Sequence, residues 1–266
     1  MNIFGEGLPE EILKQIRHRQ EVYGSGYQRE DGVGNSLRNE DQIVYLNSKT
    51  SWCKLVSGVN IENIDELNNP TIAALNIKDN ELAKKFVLFN GTTDNDNPRL
   101  REGISPFDSI LGGNNAYGIG GTEFGIRPMM GIQSANIKHE NAGSLRRAEV
   151  KIKAFNRAQF EIVDILYLRV GFSVLLEWGH SMVIDNNGAI DTNPVGLSLS
   201  SEFLNGESSY EDFLQLIYDQ RLATGGNYDA MLAKVVNFQW SLNPDGSYDI
   251  TLKLASIGDE IGRAHV

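Results

Sequence analysis

Residues 143–179 read GSLRRAEVKIKAFNRAQFEIVDILYLRVGFSVLLEWG, and the period of their apolar positions changes twice. From Arg147 to Phe155 the period is two. Ala148, Val150, Ile152 and Ala154 share one face, and Glu149, Lys151 and Lys153 share the other, the pattern of an antiparallel strand with one wet side. At Asn156 the period becomes 3.6. Asn156 is placed to cap a helix, with Gln159 three residues on as its partner. Phe160, Val163, Leu166 and Tyr167 then fall on one helical face, with Arg157, Glu161 and Asp164 elsewhere. Gly171 ends the helix. Phe172 to Trp178 follows as an almost wholly apolar run, long enough for a buried strand and too short for another helix.

Working outward, Ile132 to Lys138 reads as the partner of the alternating strand, joined to it through the turn Asn141-Ala142-Gly143-Ser144. Downstream, a loop rich in Asn, Asp and Gly (Asp185 to Asn193) precedes a helix that begins near Ser208 or Ser209. Tyr210, Phe213, Leu214 and Ile217 mark its buried face, and Gly225-Gly226 stops it. Val236, Phe238, Trp240 and Leu242 alternate with Asn237, Gln239 and Ser241. The turn Asn243-Pro244-Asp245-Gly246 follows, and Tyr248, Ile250, Leu252 and Leu254 alternate on the return. Trp178 and Trp240 are expected to pack between sheet and helices. Upstream the reading is weaker. Pro9 sits early in a short helical pattern, with Ile12, Leu13 and Ile16 on its apolar stripe, that ends near Gly24. Tyr23 to Arg38 is a polar loop, a turn-rich segment from Tyr45 leads into a strand near Leu55, and Phe86 to Phe89 is a strand closed by Asn90-Gly91. Asp94 to Pro98 is a solvated loop, and Gly112 to Gly125 is glycine-rich. The order strand, strand, helix, strand, helix, strand, strand predicts an α+β fold, an antiparallel β-barrel or sandwich with inserted helices.

Composition narrows the function classes. The 266 residues carry 24 basic and 35 acidic side chains, hence 24 − 35 = −11, and the isoelectric point is near 4.9. Phosphate binding is dominated by Lys and Arg, so direct nucleic-acid binding is not expected. A single cysteine, Cys53, excludes an internal disulfide framework and Cys-rich zinc sites, and beside Trp52 and Leu55 it reads as a small buried hydrophobe. The most apolar stretch, Ile162 to Trp178, is broken by Asp164, Arg169 and Glu177, so no membrane-spanning helix is expected. The N-terminus MNIFGEGLPEE lacks a basic start and an apolar run. The chain is therefore expected to be soluble and intracellular. EIGRAHV (260–266) reads like the translation of a sequencing adapter. On that reading His265 is foreign, and the natural chain is expected to continue past about Asp259.

The search for chemistry returns weak signals. Gly118-Ile119-Gly120-Gly121-Thr122-Glu123 opens like a dinucleotide loop, but Glu123 replaces the third glycine and no strand–helix unit surrounds it. His18, His139 and His180 are too dispersed for a zinc site, although Glu177 and His180 could form a dyad at a strand end. Asp164, Glu177 and Glu123 are the candidate acid–base carboxylates. Glu177, set among apolar neighbours, needs a partner to stay ionised, with Arg146 or Arg169 available. Asp185-Asn186-Asn187-Gly188 lacks the spaced ligands of a calcium loop. No cofactor and no metal is expected. One charge anomaly stands out. Lys138 to Arg157 holds six basic and two acidic residues, a local +4 in an acidic chain. Without interleaved aromatics it is a poor nucleic-acid groove. Arg146, Arg147, Lys151 and Lys153 are expected to form a polar sheet face that meets an acidic neighbouring subunit.

The 143–179 stretch, together with FGEGLPEEILKQIRHRQ, YLNSKTSWCKLVSGVNI, AYGIGGTEFGIRPMMGI and DGSYDITLKLASIGDEI, resembles structural proteins of large tailed bacteriophages, described as tail and baseplate components. The resemblance covers nearly the whole chain. It implies a tail-tube-like α+β domain at 115–259, preceded by an N-terminal adaptor region at 1–114 with a short helix and irregular strands. It further implies a non-enzymatic virion protein that assembles, as a ring homo-oligomer, with other virion proteins and without a membrane. Two alternatives stay open: a neck or portal-proximal ring protein of a short-tailed phage, and a baseplate-associated glycan hydrolase. The latter needs two carboxylates about 5 to 10 Å apart on one cleft.

Overall fold

The computed structural model describes residues 10–24, 27–28, 35–36, 38–61, 81–91, 130–140, 145–185, 187–192, 194, 196–206 and 208–257. The glycine loop with Glu123, the Asp94–Pro98 loop, the 141–144 turn and the 260–266 tail lie outside them. In chain order the elements are α1 (Glu10–Gly24), β1 (Tyr27–Gln28), β2 (Asn35–Ser36), α2 (Glu40–Ser48), β3 (Ser51–Ser57), α3 (Glu81–Lys85) and β4 (Leu88–Gly91). Then come β5 (Gly131–Glu140), β6 (Leu145–Ala154), α4 (Arg157–Tyr167), β7 (Ser173–His180), β8 (Val183–Ile184) and β9 (Ile190–Asp191). The chain closes with α5 (Ser200–Asn205), α6 (Tyr210–Ala223), β10 (Tyr228–Leu242) and β11 (Tyr248–Ser256).

The large sheet has the order β4-β3-β7-β10-β11-β6-β5, and every neighbouring pair runs antiparallel. It curls into a half-barrel. Its edge strands β4 and β5 approach each other where Asn90 Nδ2 donates to the Gln133 carbonyl at 3.2 Å. The expected α+β class with an antiparallel, curled sheet is therefore observed. Strands from both sides of residue 114 share this sheet, because β3 pairs with β7 from Ser51 opposite His180 to Ser57 opposite Val174.

Helix α4 fills the concave side. Asn156 Oδ1 accepts from the Gln159 N–H at 2.9 Å, and the Gln159 side chain accepts in return from the Phe155 N–H at 2.8 Å. The cap fixes where the helix leaves β6. Ile162, Val163, Leu166 and Tyr167 are fully buried against Leu55, Val150, Ile152, Leu176, Met231 and Leu252. At the deep end Tyr167 shares its hydroxyl proton between the carbonyls of Phe86 (2.8 Å) and Leu55 (3.1 Å), and Ser57 donates to the Leu166 carbonyl at 2.6 Å. These bonds satisfy polar groups that burial would otherwise penalise.

The convex side is divided. Over β3, β7 and the first half of β10 it carries a second apolar layer. Trp52, Val56, Leu175, Tyr228, Ala230 and Leu232 lie under Leu197, Leu199, Phe213 and Ile217 from α6 and the segment before α5. Over β5, β6, β11 and the outer half of β10 no described element covers it. The change falls within β10, whose outward residues go from Tyr228, Ala230 and Leu232 to Asn237, Gln239 and Ser241. A bulge between Val235 and Asn237 marks the transition.

The bulge corrects one expectation. The alternation places Val236 with Phe238, Trp240 and Leu242, but the extra residue expels it, and it is Val235 that is buried. Trp240 also differs from its expected place between sheet and helix. It meets Phe160 of α4 edge-on, with ring centroids 5.0 Å apart, and yet is 51% exposed at the projecting end of the hairpin.

Candidate functional site

Alternation along β6 decides where the four expected interface residues go. Arg147, Glu149, Lys151 and Lys153 point to the bare convex side, while Arg146, Ala148, Val150, Ile152 and Ala154 point inward. Arg146 is therefore not on the face with the other three. It is buried at one end of the concave side, where its guanidinium meets Asp229 at 3.3 Å and lies 5.9 Å from the centre of the Trp178 ring. Its position one residue out of phase with Lys151 and Lys153 was visible in the sequence.

The outward rows of the bare half follow from the register. Lys153 stands between Gly131 and Asp249, and Lys151 between Ser134 and Thr251. Glu149 stands between Asn136 and Lys253, and Arg147 between Lys138 and Ala255. Two cations on this face are neutralised locally: Lys153 Nζ lies 2.8 Å from Asp249, and Arg147 Nε lies 3.2 Å from Glu140. Lys138, Lys151 and Lys253 are exposed and form no ion pair with the described residues. Beside Lys151 the face dips into an open hollow of about 420 Å³, lined by Gln133, Lys151, Lys153, Asp249, Ile250 and Thr251. Lysine heads on flexible stems around a shallow depression can meet carboxylates of another surface.

Glu177 occupies the covered half and is wholly buried. Neither expected partner reaches it. Arg169 is held by both oxygens of Asp164, at 2.7 and 2.8 Å, and Arg146 is on the opposite side of the sheet. Glu177 instead accepts four hydrogen bonds. Oε1 takes the Leu199 N–H at 2.7 Å and the Tyr228 hydroxyl at 2.8 Å, and Oε2 takes the hydroxyls of Ser198 at 2.9 Å and Ser200 at 2.5 Å. Lys54, itself buried, stands directly opposite it in the β3–β7 register.

Sequence reasoning placed this carboxylate in a buried strand. It missed the Ser198-Leu199-Ser200 donors, which are polar residues in a loop with no periodicity to announce them. Burial, reinforced by the Glu177 charge, holds the Tyr228 hydroxyl protonated well above the ordinary tyrosine range. The Cys53 thiol is pushed up to about 12, by burial first and by Glu177 second.

The proposed Glu177–His180 dyad does not form, since three residues along a strand put the two side chains on opposite faces. Partial burial, with Lys49 and Arg19 nearby, lowers the His180 pKa. Asp185 Oδ1 accepts from the N–H groups of Asn187 and Ala189, both at 2.8 Å, an Asx-type turn that closes the β8–β9 hairpin. Gly179 is required beside Trp52, because a Cβ there would fall 2.7 Å from the Asn227 carbonyl.

No family model, curated protein or solved structure matches this chain.

Proposed function

We propose that this chain is a non-enzymatic structural protein of a bacteriophage virion, a tail or baseplate component that assembles through contacts between subunits. One observation carries the reading. Half of the convex sheet face meets no covering element among the described residues and presents exposed Lys138, Lys151 and Lys253 on an antiparallel platform, while the other half lies under α6 and the segment before α5. A rigid sheet is a good platform for assembly, since its side chains stand in fixed rows. The phage and tail-tube-like part of the reading rests on the resemblance read from the sequence alone, for which no family model or solved structure supplies a match. Glu177, the most reactive-looking carboxylate of the sequence, already receives four donors and has no exposed surface. Its chemistry here is that of an anchor for the loop before α5.

The test is direct. Purified protein, viewed by negative-stain electron microscopy and sized by light scattering, is expected to form closed rings or to bind other virion proteins of the same phage. A chain that stays monomeric at high concentration and binds none of those proteins would overturn the proposal.

A further inference from the structure

The bare half of the sheet has an electrostatic counterpart on the same molecule. Helix α6 turns Phe213 and Ile217 inward over β7 and β10 and leaves Glu211, Asp212 and Asp219 exposed on its outer side, and Glu202 of α5 is exposed as well. These four carboxylates form no ion pair with the described residues. Asp212 accepts from Ser209 in the helix cap, and Asp219 accepts from the Gln215 amide. Two copies of a chain with net charge −11 repel each other in most orientations, so association is favoured only where local signs differ.

The spacings agree. Asp212 and Asp219 are seven residues apart, hence on one stripe of the helix and about 10–11 Å from each other. On the sheet, Lys253 opposes Glu149 and Lys138 opposes Arg147. That places the two lysines two strands and two residues apart, about 12 Å. Lys151 borders the hollow next to them. A helix about 10 Å across spans roughly two strand spacings, so it fits on the uncovered strands.

From these observations we infer that a second copy of this chain seats the acidic outer side of its α6 on the basic bare half of the sheet, through Lys138, Lys151 and Lys253. The contact is heterologous: the patch used on one copy differs from the patch used on the next, so copies join head to tail and a ring closes if the rotation permits. Each copy then has both halves of its convex face covered by a helix, one by its own α6 and the other by its neighbour's.

This inference rests on the assembly reading above, and the experiment separates the two. Sedimentation velocity in low salt is run on the wild-type chain, on Lys151→Glu/Lys253→Glu, on Glu211→Lys/Asp219→Lys, and on the chain carrying all four changes. All four positions are exposed, and the second pair leaves the Ser209–Asp212 cap in place. Far-UV circular dichroism and thermal melting check the fold of each variant. Each double reversal is expected to weaken self-association by about tenfold or more, and the fourfold swap to recover most of it. If a reversed variant does not fold, the neutral pairs Lys151→Gln/Lys253→Gln and Glu211→Gln/Asp219→Asn replace it and are expected to show the same loss. A wild-type chain that assembles but ignores the changes, or a fourfold swap that fails to recover, overturns this pairing alone. A wild-type chain that never self-associates overturns the pairing and the homo-oligomeric reading together.

Discussion

Strands β6 and β7 belong to one sheet and share one concave core, but their outward residues differ in kind. From β7 and its neighbours, Leu175, Glu177, Ala230 and Leu232 point outward and are buried under α6 and the segment before α5. From β6 and β11, Glu149, Lys151, Thr251 and Lys253 point outward and meet no covering element among the described residues. The covered half gains roughly 1.5–3 kcal/mol for each large apolar side chain removed from water. It also has to bury a carboxylate, which is tolerable only because four donors converge on it. The bare half gains little from its outward residues and keeps them available. A single sheet thus separates stability from surface: one half holds the molecule together, and the other is free to carry charge.

The largest effect that would sharpen this contrast is expected at Glu177. Replacing it with Ala strands the Tyr228, Ser198 and Ser200 hydroxyls and the Leu199 N–H. The loss should be on the order of 4 kcal/mol, read from urea denaturation. A loss under 1 kcal/mol would mean that the loop before α5 is not anchored there. Next comes a matched pair at outward positions on the two halves. Leu175→Ala should cost about 3 kcal/mol, and Thr251→Ala should stay within about 0.5 kcal/mol. Equal costs would show that the bare half is covered after all.

Much of this division was legible in the sequence, and the illegible parts have physical reasons. The strict alternation of β6 marks a one-sided strand, and the apolar run from Phe172 to Trp178 marks a buried one. Both follow from how many faces of each strand are buried. The cap formed by Asn156 and Gln159, the span of α4 and the β10–β11 turn were readable because their signals are local. The first half of β10 was not. Tyr228 to Ala233 is buried on both faces apart from half-buried Asp229, so it has no alternation, and its only continuous apolar run, Ala230 to Ala233, is short. Helix α2 is not expected from the sequence, where only its last residues, from Tyr45, fall in the turn-rich segment, although Asn39 and Gln42 form a capping box. Its polar face outweighs a narrow apolar one. Arg146 joins the expected face through a count of charge over a window, whereas alternation along β6 turns its side chain inward. That β3 and β4 extend the sheet beside β7 could not be read, since pairing between distant segments leaves no local mark.

Trp240 tests the boundary between concave core and open hairpin. Half exposed, it touches Phe160 and Tyr248 at centroid distances of 5.0 and 6.0 Å. Trp240→Ala should therefore lower stability by about 1–2 kcal/mol, below the 3–5 kcal/mol typical of a buried aromatic. Differential scanning calorimetry resolves the two cases, and a loss in the higher range would place this end of β10 inside a core.

The smallest effect concerns Asp249, which pairs with Lys153 on the bare half. Its carboxyl is held below the usual carboxylate range because it accepts from Lys153 Nζ and from Asn243 Nδ2, both at 2.8 Å. A carboxylate whose pKa is lower in the folded chain than in the unfolded one, about 3.9, contributes stability that is fully present above that value. The contribution disappears as the pH falls through the lower, folded value. Asp249→Asn removes the titration, so the stability gap between wild type and variant should be constant near neutrality and close below about pH 4. Solvent screens a side chain that is 47% exposed, so the gap itself should be under about 0.5 kcal/mol. Urea midpoints measured from neutral pH down into the acid range read both the size and the closure. A gap of several kcal/mol would require the Lys153–Asp249 pair to be shielded from water, and the bare half would then be covered within the single chain, leaving no free face for a neighbour.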